Sequence, residues 1–192
     1  MDTHIVYVHG ACASGKSFTR IKEKLPEHQA HFVEYTMDTE LEVIVGKIDA
    51  LIKNIGAPVS IISHSLGGVL SVAASHLNPL ITGVMTMGTP FGGCKAADLI
   101  RWFNRHIMFE GISTHGRLIT KTLNKPLSCR VVSVVTSKSG NPMFLEPNDG
   151  VVSVASQVAL RGPNYIYLNH SHNEVLMSDE VVSIAQNFIF KQ

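Results

Sequence analysis

The chain has 192 residues, of which 45% are hydrophobic and 16% charged, and its formal net charge is +1. One domain with a single substantial core is expected over residues 1–192, and the near-neutral balance gives no electrostatic case for nucleic acid or an acidic membrane surface. The three cysteines cannot all pair within the chain and none sits in a Cys-x-x-Cys, so free thiols in a reducing compartment are expected.

Met1-Asp2-Thr3 leads straight into an apolar run, with no signal peptide in view. No apolar run approaches the ~18 residues of a membrane span, so a cytoplasmic location without stable membrane insertion is expected. The first predicted strand is Ile5–Val8, followed by the loop His9-Gly10-Ala11-Cys12 and a helical pattern over Ser17–Leu25. A second strand is predicted at His31–Tyr35. The clearest helix is Glu40–Ile55, where Leu41, Ile44, Val45, Ile48, Leu51, Ile52 and Ile55 recur on one face. Thr39-Glu40-Leu41-Glu42 reads as a capping box, and Gly56 followed by Pro58 ends the helix.

Strand Val59–Ser63 then runs into a helix over Leu66–Leu77, which Asn78-Pro79 stops. Further strands are predicted at Ile81–Met87, Arg130–Thr136 and Tyr165–Leu168. The final helix begins near Ser178, with Asp179 and Glu180 in its first turn and Val181, Val182, Ala185, Phe188 and Ile189 as its buried stripe. Most of the strands are nearly continuous in apolar character, which fits burial on both faces and a mostly parallel six-stranded sheet covered by helices. Residues 92–125 break the strand–helix rhythm. They read either as a crossover helix with surface loops or as a small cap or binding wall. Phe91, Trp102, Phe103, Met108 and Phe109 would contact an acyl group in the second case and belong to the core in the first.

The sharpest signal is Ser63-His64-Ser65-Leu66-Gly67-Gly68, between a strand and a helix. A serine at the apex of such a turn has its hydroxyl held out of the sheet, and small neighbours let strand and helix approach. Ser65 is the candidate nucleophile. A serine hydroxyl needs a base to take its proton, and the base needs an acid to fix its tautomer. In an open sheet these groups stand at the carboxyl ends of strands. Asp149 qualifies, in the turn Glu146-Pro147-Asn148-Asp149-Gly150, although Asn-Asp-Gly is also ordinary turn chemistry. His172 qualifies after the last strand, with His170 as its close competitor. The His170-Ser171-His172 pair also suits a metal, but no carboxylate or cysteine stands at ligand spacing, so no metal and no cofactor is expected. Backbone N–H groups of Leu66 and Ala11 are the expected oxyanion donors.

A rival motif is Gly10-Ala11-Cys12-Ala13-Ser14-Gly15-Lys16-Ser17, which matches the phosphate-binding loop G-x-x-x-x-G-K-[ST] after a strand and before a helix. A nucleotide hydrolase also needs an aspartate at the end of a second strand to help hold magnesium. The strand ends Ser63-His64, Thr86-Met87 and Thr136-Ser137 carry none. A third possibility is a catalytically inactive fold used as a binding module.

The order Ser65, Asp149, His172 resembles that of the α/β-hydrolases, and the chain resembles a small, minimal lipase or esterase over essentially its whole length. Val8-His9-Gly10-Ala11, the serine turn, Met87-Gly88-Thr89-Pro90-Phe91-Gly92-Gly93 and Asn148-Asp149-Gly150-Val151-Val152 carry the likeness, with the stretch from His172 to Val181. That last stretch favours His172 over His170. Two departures stand out: Ser63 replaces the usual glycine two before the nucleophile, and the strands that usually precede the His-Gly strand are absent. The resemblance implies a three-layer hydrolase fold with a short or absent cap. It implies a serine hydrolase acting on small acyl esters with an apolar acyl group. A thioester or an amide would use the same parts.

Overall fold

The computed structural model describes residues 2–93, 117–138 and 146–191. Its strands are β1 (His4–Val8), β2 (Gln29–Val33), β3 (Val59–His64), β4 (Ile81–Met87), β5 (Arg130–Thr136) and β6 (Asn164–Leu168). They form one sheet in the order β2-β1-β3-β4-β5-β6, with every pair parallel. The helices are α1 (Thr19–Lys24), α2 (Leu41–Ile55), α3 (Leu66–Ser75), α4 (Arg117–Leu123), α5 (Val154–Gln157) and α6 (Asp179–Phe190).

Alternation along each strand feeds two apolar layers. Val6, Val8, Ile61 and Val84 face α2, α3 and α4 in one cluster. Ile5, Tyr7, Ile62, Met85 and Val134 meet Phe18, Ile21 and the α6 stripe in the other. The central strands are buried on both faces, as a parallel sheet between helices requires. The edge strands β2 and β6 are only half-buried, because each has a neighbour on one side alone. No described helix is long and apolar enough to cross a membrane.

Most predicted boundaries hold to within two residues, and the departures at β2, at the start of α2 and after β1 have identifiable causes. β2 lies two residues earlier than His31–Tyr35. Its register, His4↔Gln29 to Val8↔Val33, is dictated by the length of β1. Tyr35 has left the sheet and donates its hydroxyl to the His9 carbonyl. Thr39 does not cap α2. Its amide and hydroxyl both turn back to Thr36, so Glu40 takes the cap position with no side-chain cap bond. The helix after β1 is split into a 3-10 turn over Gly15–Phe18 and the short α1. The stop at Gly56 holds, in the left-handed conformation with φ 67°.

Candidate active site

β1 has β2 on one side and β3 on the other, so the chain order reverses around it. The crevice beyond the carboxyl ends of β1 and β3 is therefore the topological switch point, where open α/β sheets bind ligands. Two loops meet there. The loop after β1 is His9–Cys12, and the turn after β3 holds Ser65.

Ser65 has φ 53° and ψ −126°, one of two non-glycine residues with positive φ among those described. A residue in such a conformation costs on the order of 1–3 kcal/mol and persists where its surroundings over-determine it. The surroundings here are explicit. The Ser65 amide donates to the Met87 carbonyl at 2.8 Å, and the Ser65 carbonyl accepts from the Gly68 amide at 3.0 Å. α3 begins at the next residue, so the Leu66 amide is one of the helix's unpaired first-turn donors. A Cβ on Gly67 would stand 2.2 Å from the Val8 carbonyl oxygen, so only glycine lets α3 pack against β1 here.

Asp149 and His172 come together. His172 Nδ1 lies 2.8 Å from Asp149 Oδ2, and the His172 amide donates to the Asp149 carbonyl at 2.9 Å. Asp149 is 1% exposed. Its Oδ1 accepts from the amides of Val151 (3.0 Å) and Val152 (2.8 Å), and its Oδ2 also accepts from the Thr136 hydroxyl at 2.6 Å. Burial alone would raise the Asp149 pKa, but the bond and charge of His172, the Thr136 hydroxyl and the Val152 amide outweigh it and hold the carboxyl below its ordinary value. An ionised carboxylate only accepts, so His172 carries its proton on Nδ1 and leaves Nε2 able to accept one. Gly88, with φ 57°, allows the end of β4 to pass beside the pair. A Cβ there would stand 3.1 Å from His172 Nδ1 and 3.2 Å from Asp149 Oδ2. Because the Met87 carbonyl is bonded to the Ser65 amide and a Cβ on the next residue, Gly88, would crowd His172, the end of β4 runs from the serine turn to the Asp–His pair.

His170 is placed elsewhere, with Nε2 2.9 Å from Glu180 Oε2 at the surface. His64 is a second histidine at the site, and no sequence signal singles it out. Its Nε2–H donates to the His172 carbonyl at 2.8 Å, and the two rings stand 4.7 Å apart. Burial, and then the adjacent His172, push its pKa from 6.5 down to about 3. His64 therefore stays neutral in the folded chain while the unfolded chain takes up a proton below pH 6.5. The unfolded state then binds more protons, so this group's contribution to stability falls as pH drops, by about 1.4 kcal/mol per pH unit until the folded value is reached. His31 and His76 are also lowered and act in the same direction. The expected result is that His64→Gln unfolds with a shallower pH dependence than the parent between about pH 4 and 6, measured by denaturant titration.

The loop after β1 is braced by the chain just after β2. His9 is 1% exposed and stacks on Tyr35 at 4.1 Å, and its Nδ1–H donates to the Gly10 carbonyl at 2.7 Å. A Cβ on Gly10 would lie 2.9 Å from Ser65 Cβ, so the loop passes directly over the serine turn. Ala11 follows, half-buried, and Cys12 is an exposed free thiol with φ 56°. The phosphate-loop stretch is occupied from within. The Gly15 amide donates to Glu34 Oε1 at 2.8 Å, so a carboxylate takes an amide that such a loop offers to phosphate.

Of the five expected acyl-contact residues, Trp102, Phe103, Met108 and Phe109 lie outside the described residues, as does most of the 92–125 segment. Phe91 is 1% exposed and shares a core cluster with Leu118 and Ile119. Thr136 and Gln157 are buried polar residues at the site that sequence reasoning misses. Thr136 carried a faint signal, a hydroxyl ending a valine-rich strand at its carboxyl end. Gln157 carried none.

No family model and no curated protein matches the chain. Solved structures do. The lipase BlEst2 of Bacillus licheniformis in its mature form superposes with a TM-score of 0.80 at 18% identity, covering 98% of this chain and 92% of that one. One of the metagenome-derived lipolytic enzymes LipS and LipT gives 0.75 at 12% identity, covering 99% and 94%. A metagenomic carboxyl esterase gives 0.72 at 15% identity, covering 97% and 71%. At such identities the likeness is one of architecture. The parallel sheet, its strand order and its flanking helices give this chain the α/β-hydrolase fold.

Proposed function

We propose that the chain is a serine hydrolase that cleaves carboxylic esters through an acyl-enzyme intermediate. The observation that carries the proposal is a strained serine at a helix N-terminus, with the end of β4 running from its turn to a buried, hydrogen-bonded Asp149–His172 pair. Ser65 Oγ attacks the acyl carbon as His172 Nε2 takes its proton. The oxyanion forms against the Leu66 amide and the loop amide of Ala11, with the positive end of α3 behind it. The intermediate collapses, His172 returns the proton to the departing alcohol, and acyl-Ser65 remains. Water then attacks under the same base, releasing the acid and restoring the serine. Asp149 holds the Nδ1–H tautomer and stabilises the imidazolium without taking its proton. The lipase and esterase character of the structural neighbours favours an ester over a thioester or an amide.

The test is labelling of the purified protein by a fluorophosphonate, followed by a screen of acyl esters of graded length. Labelling at Ser65 with ester turnover is the expected result. A folded protein that neither labels nor turns over any ester would overturn the proposal and favour a binding module.

Asp149→Asn is expected to lower kcat by about 10⁴, as the matching change does in serine-protease triads. Its Oδ1 accepts two amides, which fixes the side chain's orientation and would aim the new NH₂ at the Thr136 hydroxyl and His172 Nδ1. Donor would face donor. His172 would move its proton to Nε2 and lose its ability to act as base. Steady-state kinetics with the best ester checks this.

A further inference from the structure

Thr136 is the last residue of β5, and its backbone has lost a strand neighbour. The Val134 carbonyl accepts from the Gly88 amide, so Val134 faces β4. Backbone groups two residues apart point to the same side of a strand, so Thr136 faces β4 as well. But the β4–β5 pairing stops at Met87↔Val134, because the chain turns away at Gly88. The vacated place is filled by one side chain. Gln157 Oε1 accepts from the Thr136 amide at 2.8 Å, and Gln157 Nε2 donates to the Thr136 carbonyl at 2.8 Å.

Gln157 thus stands in for a missing strand, and it is 0% exposed. The two-point contact fixes which end of its amide is nitrogen. That NH₂ group lies 3.4 Å from Asp149 Oδ2 and 3.4 Å from the Val152 carbonyl. Anchored in this way, Thr136 presents its hydroxyl to Asp149 Oδ2 at 2.6 Å. The same oxygen receives His172 Nδ1–H at 2.8 Å. The direction from which Oδ2 can accept His172 is therefore set jointly by Thr136 and by the two amides on Oδ1.

We propose that Thr136, held in place by the Gln157 side chain, is a positioning residue that aims the Asp149 carboxylate at His172. The inference rests on the reading of Asp149 and His172 as acid and base. A threonine hydroxyl is locked by the stiffness of a β-branched side chain and by its anchored backbone, so the bond to Oδ2 is preorganised. Losing it leaves the carboxylate held by the Val151 and Val152 amides, by His172 and by the long 3.4 Å contact from the Gln157 NH₂, and freer to rotate. A small misplacement of a catalytic group is enough to cost up to about a hundredfold in rate.

The experiment compares Thr136→Val, which keeps shape and loses the hydroxyl, with Thr136→Ser, which keeps it. Thr136→Val is expected to lower kcat roughly tenfold to a hundredfold with KM changed by no more than about twofold. Thr136→Ser is expected to restore kcat. A proton NMR spectrum of each resting protein gives a readout that needs no substrate. The downfield His172 Nδ1–H resonance is expected in the parent and in Thr136→Ser, and shifted or exchange-broadened in Thr136→Val. An unchanged resonance in a folded Thr136→Val protein would overturn the positioning role, whatever the ester assay gives. A parent that shows the resonance but turns over no ester would sink the proposed function and leave the positioning role to be judged on the NMR comparison alone. If Thr136→Val does not fold, Gln157→Glu takes its place. It keeps the acceptor for the Thr136 amide and sets a carboxylate beside Asp149 Oδ2, and the same unchanged resonance would count against the proposal.

Discussion

Ser65→Ala is expected to abolish fluorophosphonate labelling and to lower kcat for an ester by about a millionfold, with the fold unchanged. The size of the loss follows from the chemistry. No other hydroxyl could take over without leaving the turn that aims it, and water lacks the positioning that makes attack effectively intramolecular. What remains is the contribution of oxyanion donors and substrate binding, about 10³–10⁴ over the uncatalysed reaction. Stability should hold, because the positive φ at Ser65 is enforced by backbone bonds to Met87 and Gly68 rather than by the side chain. Kinetics and thermal unfolding on the same sample check both halves. Retained turnover would remove Ser65 from the mechanism.

His172→Ala is expected to cost nearly as much as Ser65→Ala, while His170→Ala changes kcat by little. The residues that form a nucleophile–base pair act as a unit, so removing either member loses most of the advantage of both. His172 is almost buried and donates to Asp149, with its carbonyl gripped by His64 from the serine turn. His170 faces Glu180 at the surface, where an exposed pair contributes about 0–1 kcal/mol. His172→Ala also strands the Asp149 carboxylate without its main partner, so a loss of stability is expected and is read by denaturant titration alongside the kinetics. The reverse ranking of the two histidines would move the base.

The sequence located the serine turn because its signal is local. Strand, apex serine and paired glycines lie within ten residues, and the Gly67 contact with Val8 shows why the second small residue is needed. The strands β3, β4 and β5 were legible for a similar reason: burial on both faces leaves nearly continuous apolar runs. β2 was misplaced by two residues because an edge strand ends where its single neighbour ends, and β1 is remote in sequence. The Thr39 cap failed because a neighbouring turn at Thr36 competed for the same amide and hydroxyl.

By itself, then, the sequence determined the strand–helix alternation, the position of the serine at the turn and the presence of an aspartate turn and a histidine after later strands. Each is written in short-range chemistry: periodicity, turn residues and small side chains. Only the tertiary structure decided which partners meet. The His64 bond to His172 spans 108 residues, and the Gln157 contact with Thr136 spans 21. Those contacts depend on where β4 leaves the sheet and on how many donors a buried carboxylate must collect. Neither is a property of any local stretch. Both arise when separate strands end side by side and their unpaired polar groups have to be satisfied away from water.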